Sequence, residues 1–400
     1  MYLFVINSGS SSIKYQLFRW PAEQPVCSGL VERIGLPEAS ITHNVFTSDA
    51  GPVIRRSLPL PDHEAGLREV VGLLTDPTEG VLHDPREIEV VGHRVVHGGE
   101  AFAATALITP AVKAEIKRLF SLAPLHNPAN YLGIEVAENL FPQARQVAVF
   151  DTAFHQTLPP RAFRYALPAS FYTEFGIRAY GFHGTSHQYV AAQAAAYLGN
   201  PAAKIITIHL GNGCSMAAVL GGKSVDTSMG FGPLSGLVMG TRSGDLDPSI
   251  IFHLINERGY EPAQVQNLLN KNSGMLGLTG FSDMRDITKA LLAGDPAAAL
   301  AYDLYAYRIQ KYIGAYAAVL NGLDAVVFTA GVGENDALIR ALVCRNLEFL
   351  GLHLDEARNE KRAKELREIN QAEARVKILV VPTNEELAIA RQCVALLQSV

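Results

Sequence analysis

The stretch YLFVINSGSSSIKYQLF at residues 2–18 decides how this chain is expected to fold. Its apolar runs at 2–6 and 13–18 are typical of strands, and the glycine and serines between them predict a turn. The same order of strand, glycine-bearing turn and strand returns in KIITIHLGNGCSMAAVL at residues 204–220. This internal repeat predicts a duplicated domain with one phosphate-binding hairpin in each copy.

Strand and helix patterns alternate along the rest of the chain, which predicts an α/β fold. Further strands are predicted at 146–150, 324–329 and 376–381. Helices are predicted at 110–122, 127–140, 186–198, 248–257, 262–270, 287–292, 296–320 and 385–397. The segment from 49 to 89 is interpreted as rich in loops. We expect a first domain at 1–150, completed by a C-terminal helix at 386–400, and a second domain at 151–385.

Composition excludes several classes of protein. Hydrophobic residues make up 48% of the 400 positions, so a disordered chain is excluded. Lys and Arg number 34 and Asp and Glu 39, and the net charge of −5 argues against nucleic-acid binding. The four cysteines show no CxxC spacing, which argues against a zinc site and favours a reducing compartment. No apolar run is long enough to span a membrane, and we expect a cytoplasmic protein.

Three glycine-bearing turns follow predicted strands: NSGSSS at 7–12, GNG at 211–213 and GVGEN at 331–335. Backbone N–H groups in such turns can bind anions because no Cβ blocks the approach. Any one of them is also what an ordinary hairpin requires, but three together indicate phosphate binding. Neither the GxxxxGK[ST] nor the GxGxxG pattern is present.

Two arginines lie among glycines: Arg94 in GHRVVHGG and Arg242 in MGTRSGD. A guanidinium in such a setting suits bidentate binding of carboxylate or phosphate. The alternative for each is a surface ion pair.

Asp151 ends a buried strand, where active-site carboxylates are frequent, and a helix cap or an ion pair is the alternative. Glu385 equally suits the first turn of a helix. His126 and His183 each precede a helix, where histidine is more often structural than catalytic. The spacing of His183 and His187 is also compatible with two metal ligands, but the sequence has no third ligand at a spacing typical of zinc sites.

Nine motifs together resemble the acetokinase family, whose superfamily includes sugar kinases, actin and heat-shock chaperone ATPases. They run in family order: NSGSSSIKY, GHRVVHGG, PLHNP, VFDTAFH, YGFHGTSH, HLGNG, DTSMGFGPLSGLVMGTRSGDLDP, FTAGVGEN and VPTNEE. The resemblance covers essentially the whole length. It implies two duplicated actin-like ATPase domains, of the ribonuclease H-like type, with a nucleotide cleft between them.

The resemblance also implies site roles. Asp151, His183 and Arg242 are expected to be catalytic, and Asn7 and Glu385 to hold Mg²⁺, for which Mn²⁺ is expected to substitute. Substrate contacts are implied for Arg94, Val96, Leu125, His126, Phe182 and Pro233. Nucleotide contacts are implied for Lys14, Ser10, Ser12, His209, Leu210, Gly211, Asn212, Gly213, Asp283, Met284, Arg285, Gly331, Val332, Gly333, Glu334 and Asn335.

The implied reaction is reversible, in-line phosphoryl transfer from ATP to acetate, giving acetyl phosphate and ADP. A propionate or butyrate kinase of the same family is the alternative. A non-metabolic ATPase of the same superfold is disfavoured, because it leaves unused both Arg94 and the small apolar pocket that the resemblance implies, formed by Val96, Leu125, Phe182 and Pro233. The family forms a homodimer through its second domain, and no nucleic-acid or membrane partner is expected. Asp151 is the family's acid/base residue, but we expect it to orient Arg94 or a metal-bound water, since acetate is already ionised at pH 7.

Overall fold

The computed structural model describes residues 1–46 and 51–399. It divides the chain into unit 1, made of Met1–Ala153 and Asn384–Val400, and unit 2, made of Phe154–Thr383. Part of the segment predicted to be rich in loops, residues 49 and 50, lies outside the described residues, as does position 400 at the predicted end of the last helix.

Unit 1 is built on one mixed sheet, as the alternating apolar patterns predict. Its strands are β1 (Tyr2–Ser8), β2 (Ser12–Arg19), β3 (Pro25–Glu32), β4 (Ala39–Val45), β5 (Val53–Leu58), β6 (Ile88–Val95), β7 (Ala106–Leu107) and β8 (Arg145–Phe150). They lie in the order β5-β4-β3-β2-β1-β6-β8-β7. The β1–β2 hairpin pairs Asn7 with Lys14, whereas β1, β6 and β8 run parallel.

Helices cover the sheet of unit 1. They are α1 (His63–Leu74), α2 (Pro110–Arg118), α3 (Asn127–Leu140) and the C-terminal helix (Glu385–Ser399). The C-terminal helix packs against β1, β6 and β8. Gly92 of β6 makes this approach possible, since a Cβ there would lie 2.8 Å from the Cys393 sulfur.

The segment predicted to be rich in loops contains β5, α1 and the start of β6, so this prediction was wrong. Helix α1 begins after Asp62, whose carboxylate accepts a hydrogen bond from the Ala65 N–H at 2.8 Å. It buries Leu67, Val70 and Leu73. Two prolines before the helix and two glycines within it weaken the apolar periodicity in the sequence.

Unit 2 has its own mixed sheet. Its strands are β9 (Lys204–Leu210), β10 (Cys214–Leu220), β11 (Lys223–Thr227), β12 (Ala325–Thr329), β13 (Arg367–Glu368) and β14 (Lys377–Val380), in the order β11-β10-β9-β12-β14-β13. The antiparallel β9–β10 hairpin and the parallel strands β9, β12 and β14 repeat the pattern of β1, β2, β6 and β8. The α/β prediction is therefore confirmed, and the repeat seen in the sequence corresponds to a repeated strand order.

The helices of unit 2 vary widely in length. They are α4 (Pro160–Phe163), α5 (Ala169–Thr173), α6 (Gly184–Leu198), α7 (Ser249–Arg258), α8 (Pro262–Lys271), α9 (Gly274–Thr279), α10 (Met284–Leu292), α11 (Pro296–Leu320), α12 (Ala330–Asn335), α13 (Ala337–Cys344) and α14 (Glu356–Glu360). Short 3₁₀ helices occupy Pro85–Glu87 and Leu119–Ser121 in unit 1, Glu348–Leu350 in unit 2, and Ala153–Thr157 where the chain passes from unit 1 to unit 2. Within the described residues, no helix has both the length and the apolar character needed to cross a bilayer.

Candidate active site

The carboxyl ends of the parallel strands in unit 1 bring three predicted site residues together. Asn7 lies near the end of β1, Arg94 near the end of β6, and Asp151 directly after β8. The register pairs Ile6 with His93 and Arg94 with Val149, so the three side chains occupy one edge of the sheet. Ligand sites in α/β proteins favour such an edge.

Arg94 is the centre of this cluster. Its guanidinium forms an ion pair with Asp151, donates to the Asn7 amide oxygen at 3.2 Å and lies 3.8 Å from the Glu385 carboxylate. Burial alone lowers the pKa of Arg94, but the charges of Asp151 and Glu385 outweigh burial and raise the pKa. Among the described residues, its Nε–H has no hydrogen-bond acceptor. The guanidinium therefore stays charged and retains a donor.

A second ion pair in unit 1 involves a residue that sequence reasoning missed. Lys14 Nζ lies 2.8 Å from the Glu386 carboxylate, and the Lys14 side chain is 53% exposed whereas that of Glu386 is 4% exposed. The pKa of Glu385 is raised, first by burial, although Arg94 lowers it. Glu386 is the second glutamate of the VPTNEE motif, so the motif could have indicated it. The sequence does not show that its partner is Lys14, which is far away in the chain.

Helices α1 and α3 hold the hairpin turn that contains Ser10 and Ser12. His63 Nε2–H donates to the Gly9 carbonyl at 2.6 Å, and the Asn130 amide donates to the Ser8 carbonyl at 2.6 Å. Asn130 also accepts from the Val96 N–H at 3.0 Å. One side chain thus connects the hairpin turn to the segment that follows Arg94. Sequence reasoning missed both His63 and Asn130.

The predicted substrate residues of unit 1 differ in burial. Val96 is 6% exposed, whereas Leu125 is 54% exposed. His126 is partly buried at the N-terminus of α3. Leu125 and His126 directly precede helix α3. This helix also carries Asn130, whose side chain accepts a hydrogen bond from the Val96 N–H.

In unit 2, His183 stands at the N-terminus of α6 with a left-handed backbone (φ +55°). This conformation is uncommon for a residue with a Cβ and is typical of functional sites. The His183 ring stacks on that of His209, with centroids 4.3 Å apart. Its Nδ1 lies 2.8 Å from the Ser215 hydroxyl, and His209 Nδ1 lies 2.9 Å from the Ser186 hydroxyl.

His183 and Arg242 meet at the GNG turn. A Cβ added at Gly213 would lie 3.3 Å from the His183 ring and 3.8 Å from the Arg242 guanidinium. Arg242 donates to the Pro233 carbonyl at 3.0 Å, and burial lowers its pKa. Phe182 is buried, and its carbonyl accepts from His155 at 3.1 Å. The absent side chain at Gly213 leaves space in front of two basic groups.

A cavity of about 1310 Å³ lies in unit 2. It is lined by nine residues predicted to contact nucleotide: Gly211, Asn212, Asp283, Met284, Arg285, Gly331, Val332, Glu334 and Asn335. The remaining predicted residues of this unit, His209, Leu210, Gly213 and Gly333, are neighbours of these in the chain and are not part of the lining. The volume is above the range usual for small-molecule sites and is sufficient for a nucleotide.

The third predicted turn, GVGEN, is instead the short helix α12 directly after β12, so its description as a turn was wrong. Glu334, a residue of α12, stabilises the start of this helix. Its carboxylate accepts hydrogen bonds from the Ala330 N–H at 2.9 Å and from the Thr383 N–H at 3.1 Å. Ala330 has a left-handed backbone (φ +65°), which redirects the chain from strand to helix.

Arginines that sequence reasoning missed line the same cavity: Arg340, Arg362 and Arg367. Arg340 is buried and donates to the carbonyls of Gly333 at 2.9 Å and Asn359 at 2.7 Å. Burial lowers its pKa to about 10, assisted by the charge of Arg367. Arg367 donates to the Glu334 carbonyl at 2.9 Å. The cavity lining thus combines four arginines with four acidic residues, and no local sequence pattern identified Arg340, Arg362 or Arg367.

The two predicted metal ligands, Asn7 and Glu385, both offer oxygen donors. Residues 1–46 and 51–399 contain no group of three or more His, Cys, Asp or Glu side chains suited to hold a metal ion. Asn7 and Glu385, the predicted metal ligands, both contact or approach Arg94.

Comparison with known proteins identifies relatives along the whole chain. The family model described as "Acetokinase family" matches residues 2–391. The chain is 54% identical over 399 residues to an acetate kinase of Flavobacterium johnsoniae, with 100% of each chain covered. A crystal structure of Porphyromonas gingivalis acetate kinase matches with a TM-score of 0.93, 44% identity and 99% coverage of both chains. A propionate kinase structure from Francisella tularensis matches with a TM-score of 0.91, 41% identity and 98% coverage of both.

Proposed function

Since this chain belongs to the acetokinase family, we propose that it transfers the γ-phosphoryl group of ATP to acetate, reversibly, giving acetyl phosphate and ADP. The chain is a phosphotransferase with a carboxyl group as acceptor. One observation carries the assignment of the site: His183 and Arg242 face Gly213, in the same turn whose Gly211 and Asn212 line the large cavity.

The cavity of unit 2 holds the nucleotide in this proposal. Asp283, Met284 and Arg285 at the start of α10 and the residues of α12 bind the adenosine. The turn His209–Gly213 then receives the phosphates, because its backbone N–H groups and glycines allow close approach. Lys14, Ser10 and Ser12 supply further nucleotide contacts from the equivalent hairpin of unit 1.

His183 and Arg242 stabilise the transferring phosphoryl group. This group carries its negative charge on three equatorial oxygens, so catalysis depends on cations and in-line positioning. An arginine in this role can contribute about 10³–10⁵ in rate. The open space in front of Gly213 allows both basic groups to reach the same ligand atoms.

Arg94 binds the acetate carboxylate, and Val96, Leu125, His126, Phe182 and Pro233 contact the remainder of the substrate. Acetate is ionised at neutral pH, because simple carboxylic acids have a pKa of about 4–5. No base is therefore needed to make it a nucleophile. Asp151 acts by holding Arg94, and the ion pair between them supports this role.

Mg²⁺ is held by Asn7 and Glu385 in this proposal. The donors are amide and carboxylate oxygens, which hard divalent cations prefer, and Mg²⁺ commonly uses one or two carboxylates plus substrate phosphates. Burial raises the pKa of Glu385, and the neighbouring Asp151 and Glu386 raise it further, whereas Arg94 lowers it; a bound cation would also lower it, because an opposite charge favours the ionised carboxylate. When bound, Mg²⁺ neutralises charge on the phosphates; Mn²⁺ is expected to substitute.

A homodimer formed through unit 2 is also proposed, together with a cytoplasmic location. Large apolar side chains on unit 2, including Phe252 and Tyr307, are exposed and suit a subunit interface. The four cysteines are buried and free, as expected in a reducing compartment. Light scattering coupled to size-exclusion chromatography tests the dimer.

The decisive experiment measures hydroxamate formation from acetate, propionate and butyrate with ATP, Mg²⁺ and hydroxylamine. The highest kcat/KM is expected for acetate. A higher kcat/KM for propionate would favour the alternative, for which the similarity to a propionate kinase structure is the relevant observation. No acyl phosphate from any of the three acids would overturn the proposal.

A further inference from the structure

Ser215 on β10 lies between two histidine rings. Its hydroxyl is 2.8 Å from His183 Nδ1 and 2.7 Å from His187 Nε2. Ser215 and His187 are completely buried. Among the described residues, these two ring nitrogens are the hydrogen-bond partners of the Ser215 side chain.

The single hydroxyl proton of Ser215 couples the two rings. Ser215 donates to one ring nitrogen and accepts from the other, since accepting from both would leave its own buried proton without a partner. When His183 is a cation, both of its ring nitrogens carry protons, and its Nδ1–H must donate to Ser215. Ser215 must then donate to His187, whose Nε2 has to be an acceptor.

His187 meets this requirement because it is neutral. Its pKa lies well below the ordinary 6.5, first through burial and then through the charges of His155 and His209. With Nε2 as acceptor, its proton is on Nδ1, which lies 2.7 Å from the Thr207 hydroxyl. The Thr207 hydroxyl can in turn donate a hydrogen bond to the Ala217 carbonyl at 3.4 Å. Every group in the row Thr207–His187–Ser215–His183 then has a partner.

We propose that Ser215 and His187 are positioning residues that let His183 carry its positive charge beside Gly213 and Arg242. The inference rests on the proposed role of His183 in phosphoryl transfer. A charged His187 would donate at both nitrogens and would compete with His183 for the Ser215 oxygen. Keeping His187 neutral therefore reserves the charge for the ring that faces the substrate side.

The surroundings of His183 within unit 2 explain why such support is needed. The His209 ring stacks on it at 4.3 Å, and the Arg242 guanidinium shares the space in front of Gly213. A second cation so close to Arg242 is unfavourable unless hydrogen bonds stabilise it. Ser215 is the hydrogen-bond acceptor that the structure provides.

The test combines kinetics with nitrogen NMR of protein labelled with ¹⁵N-histidine. His183 signals are assigned by comparison with His183→Gln. In the wild-type enzyme, we expect a protonated Nδ1 on His183 and on His187. In Ser215→Ala, the protonated Nδ1 signature of His183 should diminish. The kcat should fall about 10- to 100-fold, by analogy with the loss of a hydrogen-bond partner that orients a metal-ligating histidine, while KM for ATP and acetate changes little.

Ser224→Ala is the matched control. Ser224 is also buried and lies 2.8 Å from a histidine nitrogen, His155 Nδ1, but it does not contact His183. Ser224→Ala should lower the free energy of unfolding about as much as Ser215→Ala does, but it should leave kcat and the His183 signals unchanged. Thr207→Val and Thr207→Ser form a second pair, since only the first removes the hydroxyl at the far end of the row. If Ser215→Ala does not fold, Thr207→Val should show the loss of kcat and Thr207→Ser should retain it.

Equal losses of kcat in Ser215→Ala and Ser224→Ala would overturn the proposal, as would unchanged His183 signals in Ser215→Ala. Equal kcat values in Thr207→Val and Thr207→Ser would also overturn the proposal. Failure of the proposed function gives a different result. In that case, wild-type enzyme forms no acyl phosphate, whereas the coupling between the His183 and His187 signals is still measurable.

Discussion

Arg94 and Asp151 form a buried ion pair at the carboxyl ends of β6 and β8, and the Asp151 side chain is 1% exposed. Removing one partner of a buried pair leaves an uncompensated charge and typically costs about 3–5 kcal/mol. Asp151→Asn is therefore expected to lower the unfolding temperature and raise KM for acetate, because Arg94 loses the group that orients it. Steady-state kinetics and thermal unfolding measure both effects.

The pH profile of the same variant separates positioning from acid/base catalysis. If Asp151 only holds Arg94, the ionisations seen in kcat/KM of the wild-type enzyme should persist in Asp151→Asn. An ionisation that disappears in the variant, with the Mg²⁺ requirement unchanged, would restore the acid/base role.

Arg242→Ala should lower kcat/KM by more than about 100-fold, or roughly 2.7 kcal/mol, as expected for a lost transition-state contact. Its stability should change little, because the Arg242 guanidinium binds one carbonyl rather than a buried carboxylate. Arg258→Ala, at the exposed end of α7, is the control and should behave like wild type. Near-normal turnover with a loss of stability would instead mark Arg242 as structural.

Val96→Ala should improve the use of propionate relative to acetate by about fivefold, because one methylene in an apolar pocket is worth about 1 kcal/mol. Val96 is buried, so the substitution creates space rather than exposing surface. The measurement is the ratio of kcat/KM for the two acids. An unchanged ratio would remove Val96 from the substrate pocket.

Asn130→Ala should raise KM for ATP and lower stability, because the Ser8 carbonyl and the Val96 N–H each lose a buried partner. Each unpaired buried group typically costs about 1–3 kcal/mol. Asn127→Ala is a matched control, since among the described residues the Asn127 side chain hydrogen-bonds to the His97 backbone and not to the hairpin turn. Equal effects of the two substitutions on KM for ATP would contradict a role of Asn130 in holding the turn.

Acid should destabilise unit 1 through His43. Burial lowers its pKa from 6.5 to about 4, and its Nδ1 lies at hydrogen-bond distance, 2.7 Å, from the Tyr15 hydroxyl. The folded state then binds fewer protons than the unfolded state, so stability decreases as pH falls from 6.5 towards 4 and levels off below. This contribution is on the order of 3 kcal/mol.

His43→Gln should reduce that pH dependence, because a glutamine oxygen can still accept from Tyr15 but does not titrate. Urea unfolding at pH 7 and near pH 4 measures the difference. His93, whose pKa burial also lowers to about 4, should maintain part of the acid sensitivity in the variant. An unchanged pH dependence in His43→Gln would show that His43 does not contribute.

Interactions that are local in the chain were predictable from the sequence. The hairpins at NSGSSS and GNG form where glycine, serine and asparagine interrupt apolar runs, since strand pattern and turn chemistry both act over a few residues. GVGEN was read wrongly as a turn because the start of α12 also depends on Thr383, whose N–H shares the Glu334 carboxylate.

The α/β class, the repeated hairpins and the family could be predicted from the sequence, because they follow from apolar periodicity and from motifs of contiguous residues. The side chains that support the site could not be predicted in this way, because their partners come from distant parts of the chain. Glu386 reaches Lys14, Asn130 reaches Ser8, and Ser215 joins His183 to His187. Such contacts join residues far apart in the chain, so their geometry depends on how helices pack against the sheets and not on local propensity.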